Sequence, residues 1–158
     1  MVGVTMRFAT PDDVPVILSL IKELAQYEQL AGEVVATEAA LERTLFGPKS
    51  YAEVLLAEEG GECCGFCLFF HNYSTFLAKP GLYIEDVFVK SSHRGKGIGK
   101  AFFSEMSRIA NERDCGRIEW WVLDWNKPAI DFYGTLGAKP MDEWTVYRLT
   151  EEQFKRYV

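Results

Sequence analysis

Histidine is scarce in this chain. Only His71 and His93 occur, neither has a partnered acid, and no G-x-S-x-G or paired Cys–His pattern appears, so histidine acid–base work and nucleophilic catalysis have little support. Apolar runs stay well short of the ~20 residues of a membrane span, and the N-terminus lacks a signal-peptide pattern, which predicts a cytoplasmic protein with no membrane partner. Basic charge is also in deficit: 17 Lys and Arg against 23 Asp and Glu give a net charge of −6. That balance argues against nucleic acid as a partner and favours attraction of cations, such as a polyamine or a basic amino acid. Cysteine is limited to Cys63, Cys64, Cys67 and Cys115, and three of these crowd one apolar stretch, which is poor geometry for a disulfide framework. A metal site at Cys64, Cys67 and His71 would lack a second ligand pair, and a strand sends Cys64 and Cys67 to opposite faces, so no metal is expected. Repeats, low-complexity segments and linkers are absent, and 158 residues suit one domain over the whole chain.

What is present is core material: 48% of residues are hydrophobic and 14% aromatic. Val4 to Ala9 reads as a strand, and Thr10-Pro11-Asp12-Asp13 supplies a cap, a proline and acids to start a helix ending at Tyr27 and Glu28. Thr37 caps a second helix through Phe46, stopped by Gly47-Pro48. Strands from Tyr51 to Glu58 and from Cys63 to His71 flank the tight turn Glu59-Gly60-Gly61-Glu62. An irregular loop then leads to a strand from Leu82, in which alternation puts Leu82, Ile84, Asp86 and Phe88 on one face and Tyr83, Glu85, Val87 and Val89 on the other. A long helix follows, ended by Cys115-Gly116. Arg117 to Leu123 reads as a fifth strand, Asp124 to Pro128 leads into a helix with Ile130, Tyr133 and Leu136 on one side and Gly137 as its stop, and Glu143 to Leu149 reads as a sixth strand. Thr150 with Gln153 forms a capping box for a terminal helix. The order predicts an α+β layer fold, a mixed and mostly antiparallel sheet flanked by helices.

The centre of the chain is Leu82 to Gly99. An apolar strand with two adjacent acids runs into Arg94-Gly95-Lys96-Gly97-Ile98-Gly99, and Ile98, Ala101, Phe102, Met106, Ile109 and Ala110 then recur at helical spacing. The glycines let backbone N–H groups converge on an anion at a helix N-terminus, where Arg94 and Lys96 add charge, so a diphosphate is the expected guest. The third glycine comes one residue too early for G-x-G-x-x-G, because Lys100 stands where it should be.

Arg-Gly-Lys-Gly-Ile-Gly after Glu-Asp-Val-Phe-Val resembles the acetyl-coenzyme A loop, Q/R-x-x-G-x-G/A, of the GNAT superfamily of N-acetyltransferases. Leu24 to Glu28, Glu85-Asp86, Trp125 to Pro128 and Asp131-Phe132-Tyr133 are similar to its spermidine/spermine and thialysine acetyltransferase group. The resemblance implies a fold whose fourth and fifth strands splay apart, and acetyl-CoA as co-substrate. It implies that Val87, Phe88, Val89, the loop from Arg94 through Gly95, Lys96, Gly97, Ile98 and Gly99 to Lys100, and Asn126, Pro128, Ala129 and Tyr133 bind the cofactor. It implies an amine pocket at Tyr27, Glu28, Glu85, Asp86, Glu119, Trp120 and Trp121, and a homodimer to which the aromatic sixth strand, with Trp144 and Tyr147, would contribute.

Acetyl transfer to an amine needs a base, an oxyanion donor and an acid. An alkylamine is almost wholly protonated at neutral pH, so a carboxylate must take its proton, and Glu85 beside Asp86 is the expected base. The Val87 N–H is the expected oxyanion donor. Tyr133 is the expected acid for the leaving thiolate, a role carried by the matching tyrosine of the resembled family. The loop Asn72 to Phe76 has no acid and is closer to the thialysine branch than to the polyamine branch. The reading is a small-amine acetyltransferase, with a protein N-terminal acetyltransferase or a weakly catalytic acyl-CoA-binding module as alternatives.

Overall fold

The computed structural model describes residues 3–158. The chain divides into two units, Met1–Trp121 and Val122–Val158.

In the first unit a five-stranded sheet runs in the order β1-β2-β3-β4-β5: Val4–Phe8, Glu53–Glu59, Glu62–Ser74, Lys79–Val89 and Ile118–Trp120. The first three pairings are antiparallel and the last, β4 with β5, is parallel. Gly60 and Gly61 both take positive φ, +60° and +82°, as the two-residue turn between β2 and β3 requires. The β3–β4 hairpin is longer than the sequence suggests. Pairing starts at Ser74 with Lys79, so residues expected in an irregular loop are strand.

Helix α1, Val14–Tyr27, begins one turn later than Pro11 because Pro11–Asp13 forms a separate 3-10 turn, closed by Thr10 N donating to Asp13 Oδ2 at 2.7 Å. It ends at Glu28 and Gln29. Gln29 is left-handed at φ +61°, Leu30 N donates to Ala25 O and Gln29 N to Gln26 O, the paired bonds of a Schellman stop without its usual glycine. Helix α2, Glu38–Phe46, is capped by Thr37 Oγ1, which accepts from Ala40 N at 3.1 Å. Gly47 ends it with φ −73°, so its need is steric: a Cβ there would lie 2.3 Å from Arg43 O. Helix α3, Ile98–Glu112, stops the same way as α1, with left-handed Asp114 at φ +53° and Cys115 N donating to Ala110 O.

Two cores lie on opposite sheet faces. Val54, Leu56, Phe66 and Phe88 meet Ile17, Leu20 and Leu24 of α1 and Leu45 of α2. The other face carries Leu55, Cys67, Phe69, Leu82 and Ile84, all buried, with α3 drawn close at Gly65, where a Cβ would lie 3.2 Å from the Phe102 ring. Burying side chains such as Ile17, Leu20, Phe66 and Phe102 contributes about 1.5–3 kcal/mol each.

In the second unit, α4 is Lys127–Thr135 and α5 is Glu151–Phe154. Asn126 caps α4, and left-handed Gly137 at φ +82° closes it, with Ala138 N donating to Tyr133 O. The expected sixth strand, Glu143–Leu149, is not formed. The segment has strand composition, but a strand exists only with a hydrogen-bonded neighbour, and among the described residues this one pairs with none. The fifth strand is likewise only three residues long.

Candidate active site

The site begins with one extra residue in β4. Leu68 pairs with Asp86 and Phe69 with Ile84, so Glu85 is a bulge with no partner of its own. The bulge reverses the alternation expected from sequence. Asp86 and Phe88 share a face with Tyr83 and the α1/α2 core, whereas Leu82, Ile84 and Val87 take the α3 face. Glu85 itself is exposed.

Pairing of β4 with β5 ends at Ile84 and Trp120, while β4 runs on to Val89. Lys90 N donates to Cys64 O on β3, so alternation turns the N–H and C=O of Val87 and Val89 towards the edge that β5 has left. Arg94 Nε donates to the Val89 carbonyl on that edge at 3.0 Å.

The glycine loop has the expected form. Gly95 and Gly97 are left-handed, at φ +77° and +82°, and Gly97 caps the 15-residue α3, whose first N–H groups open onto the loop. These features and the uncovered edge of β4 fit an anionic co-substrate with an amide arm. The two loop cations are engaged within the protein. Arg94 lies 4.5 Å above the Tyr27 ring and 5.5 Å from that of Phe88, and Lys96 Nζ meets Glu59 Oε2 at 2.9 Å, with His93 Nε2 3.4 Å from the same oxygen. Phe88 and Ile98 are core side chains, and alternation turns the Phe88 backbone towards Phe66 of β3, so of the two only the Ile98 backbone, at the start of α3, is placed to serve a ligand. Gly99 and Lys100 form the first turn of α3.

Three acids gather on the α1 side of β4. Asp86 is largely buried, and burial first, then the charges of Glu85 and Glu28, push its carboxyl up to about 7. Burial also raises Glu28. Glu28, at the end of α1, is thus close enough to Asp86 for its charge to act there, and Tyr27 beside it lies under Arg94. Further along this face, Phe70 and Tyr83 have ring centroids 5.1 Å apart and Trp121 stands edge-on to Tyr83 at 5.9 Å. Burial, with Glu85 and Glu119 nearby, raises the Tyr83 phenol. Glu119 and Trp121 therefore join this face. Trp120 does not: it packs on Phe103 of α3 at 4.8 Å. The Arg94–Tyr27 stack, Tyr83 and Phe70 escaped the sequence reading because their contacts depend on long-range pairing.

In the second unit Asn126 is buried and its side chain accepts from Ala129 N at 3.4 Å, with Pro128 in the first turn of α4. Tyr133 is half-buried, its ring 5.8 Å from Phe132. Lys127 pairs with Asp131 one turn on. Among the described residues no group of three or more His, Cys, Asp or Glu side chains could hold a metal, and no helix is long and apolar enough to cross a membrane.

Residues 19–138 match the model of the acetyltransferase (GNAT) family. The chain is 35% identical to a thialysine N-epsilon-acetyltransferase of Sus scrofa, over 98% of this chain and 97% of that protein. It is 34% identical to an L-ornithine N5-acetyltransferase of Arabidopsis thaliana, over 92% and 83%. Among solved structures, an integron cassette protein from the mobile metagenome of V. cholerae superposes with a TM-score of 0.83 at 25% identity, covering 99% of this chain and 98% of that one.

Proposed function

Because the chain belongs to the GNAT family of acetyltransferases, we propose that it acetylates the terminal primary amine of a small basic substrate, thialysine-like amino acids before polyamines, with acetyl-CoA as donor. The observation that carries this reading is the cluster of Glu28, Glu85 and Asp86, its central carboxyl at about 7, beside the open edge of β4. Such a cluster attracts a cationic amine and accepts its proton near neutral pH.

Bound acetyl-CoA supplies an acetyl group activated as a thioester, for direct transfer in a ternary complex. The loop from Arg94 to Lys100 holds its diphosphate through backbone N–H groups, and the Val87–Val89 edge takes its amide arm as an added strand. Glu85, turned outward by the bulge, takes the ammonium proton directly or through water, and Asp86 beside it shares that proton. The Val87 N–H donates to the carbonyl oxygen. Tyr133 donates to the departing sulfur, and Asn126, Pro128 and Ala129 shape that side of the cofactor site. Tyr27, Glu119 and Trp121 line the amine pocket. The two units work as one domain over residues 1–158, a reading supported by the family match, which crosses their boundary.

Thiol release measured with acetyl-CoA and a panel of amines tests the proposal. Turnover of thialysine, ornithine and short diamines is expected, with thialysine first. Turnover only of peptide N-termini, or of nothing, would replace it with one of the alternative readings.

The protein is also proposed to be a homodimer. The segment 143–149 has strand composition but no strand partner among the described residues, and Trp144 and Tyr147 are 77% and 93% exposed, which a second copy would cover. Sedimentation is expected to give a dimer at micromolar concentration, and a monomer would remove the claim. Free thiols at all four cysteines fit a cytoplasmic setting.

A further inference from the structure

Arg117 has no role in the reading above. It precedes β5 and shares the parity of Glu119, the register partner of Tyr83, so both side chains belong to the face that carries Asp86. Arg117 Nε lies 2.9 Å from Glu119 Oε1, with the two side chains 42% and 36% exposed. Asn72 Nδ2 donates to the same oxygen at 3.1 Å, and Asn72 Oδ1 is buried without a partner among the described residues. Gly81, opposite Asn72, leaves the room for this arrangement. A Cβ there would lie 2.4 Å from Asn72 Oδ1 and 3.4 Å from Arg117 Cγ.

Both contacts to Glu119 fall on Oε1. A guanidinium engaged through Nε keeps its two terminal nitrogens as donors for a carboxylate, and Glu119 Oε2, which takes neither of those contacts, remains as an acceptor. A cation and an anion fixed side by side are the complement of a zwitterion. The geometry points to Arg117 and Glu119 as the subsite for the α-carboxylate and α-ammonium of an amino-acid substrate whose terminal amine lies at Glu28, Glu85 and Asp86. This rests on the small-amine acetyltransferase reading and adds to it the residues that select the substrate. Tyr83, level with Glu119, is three residues from Asp86, about 10 Å at the rise of a strand and less by the bulge. An extended amino acid of lysine length spans that gap, with its apolar stem along Phe70, Tyr83 and Trp121. A diamine of the same length can still place its second ammonium at Glu119 but leaves Arg117 without a carboxylate, an unpartnered charge beside that ammonium. The subsite therefore favours amino acids over polyamines.

The test compares thialysine with bis(2-aminoethyl) sulfide, which keeps the terminal amine and the stem and lacks the carboxylate. In the full chain, Arg117→Gln is expected to lower the ratio of kcat/KM for thialysine over the sulfide diamine by about 10- to 100-fold, mainly through KM, as loss of a charge-assisted hydrogen bond does. Arg117→Lys, which keeps the charge, should retain part of the preference and serves if the glutamine variant fails to fold. An unchanged ratio, or an equal fall for both substrates, would overturn the assignment. Calorimetric titration with each compound separates this inference from the reaction itself. If the wild type turns over no small amine, the acetyltransferase reading of the substrate fails and binding alone decides the subsite. Tighter binding of thialysine than of the diamine, lost in Arg117→Gln, then supports it, and equal affinities overturn it.

Discussion

Tyr133→Phe is expected to lower kcat by roughly 10²- to 10³-fold with little change in affinity for acetyl-CoA, the range assigned to a positioned general acid. The substitution keeps the ring, and with it the packing on Phe132 and the place in α4. It removes only the proton that the leaving sulfur would take. The split between kcat and affinity is informative because a tyrosine that merely packed against the cofactor would lose binding and rate together. Single-turnover measurement ensures that chemistry is the step observed. Near wild-type turnover under those conditions would mean that water supplies the proton, or that the thiolate departs without one.

Asp86→Asn is expected to stabilise the protein while impairing catalysis. A carboxyl held at about 7 in the fold, against 3.8 as its ordinary value, favours the protonated form in the native state. The sign follows from linkage: as pH rises from about 4 to 7 the unfolded chain ionises Asp86 first, so the native state loses stability relative to it, and above 7 the penalty is constant. Three pH units correspond to an upper bound of roughly 4 kcal/mol. Asparagine carries no charge and escapes the penalty. Thermal melts should therefore show Asp86→Asn close to wild type near pH 4 and increasingly more stable up to pH 7, with the gain level beyond. A gain equal at pH 4 and pH 8, or a loss at pH 8, would show that Asp86 is not held protonated by burial and by Glu85 and Glu28. Such a trade suits a group kept for function.

Local features of the fold were legible in the sequence, since they are set by neighbours in the chain. Thr37 as a cap, the Gly60-Gly61 turn, and the glycine loop feeding α3 each depend on a few adjacent residues. Three kinds of feature were hidden. Left-handed Gln29 and Asp114 end helices where a glycine would have signalled the stop. The strand expected at Glu143–Leu149 had the right residues and no strand partner among the described residues, which composition cannot reveal. The bulge at Glu85 was invisible because simple alternation fits the apolar residues of β4 equally well. The site was half legible for the same reason. Glu85-Asp86 and the loop are contiguous and could be read, whereas the approach of Glu28 to Asp86, the seat of Arg94 on Tyr27, and the assignment of Trp120 to the α3 face follow from register.

The bulge makes residue count matter along β4 in an uneven way. Any substitution of Glu85 alters one exposed side chain, and the strand on either side keeps its register. Removing Glu85 closes the bulge: Ile84 would adjoin Asp86 as their partners Phe69 and Leu68 adjoin, so Leu82 and Ile84 would keep the α3 face and Asp86 and Phe88 the α1 face. Removing a residue elsewhere in β4 while the bulge stays is different in kind, because one half of the strand would then have to exchange its two faces. Position 85 is therefore the one place where the strand can be shortened with both cores intact, and what such a deletion takes away is a carboxylate of the acid cluster.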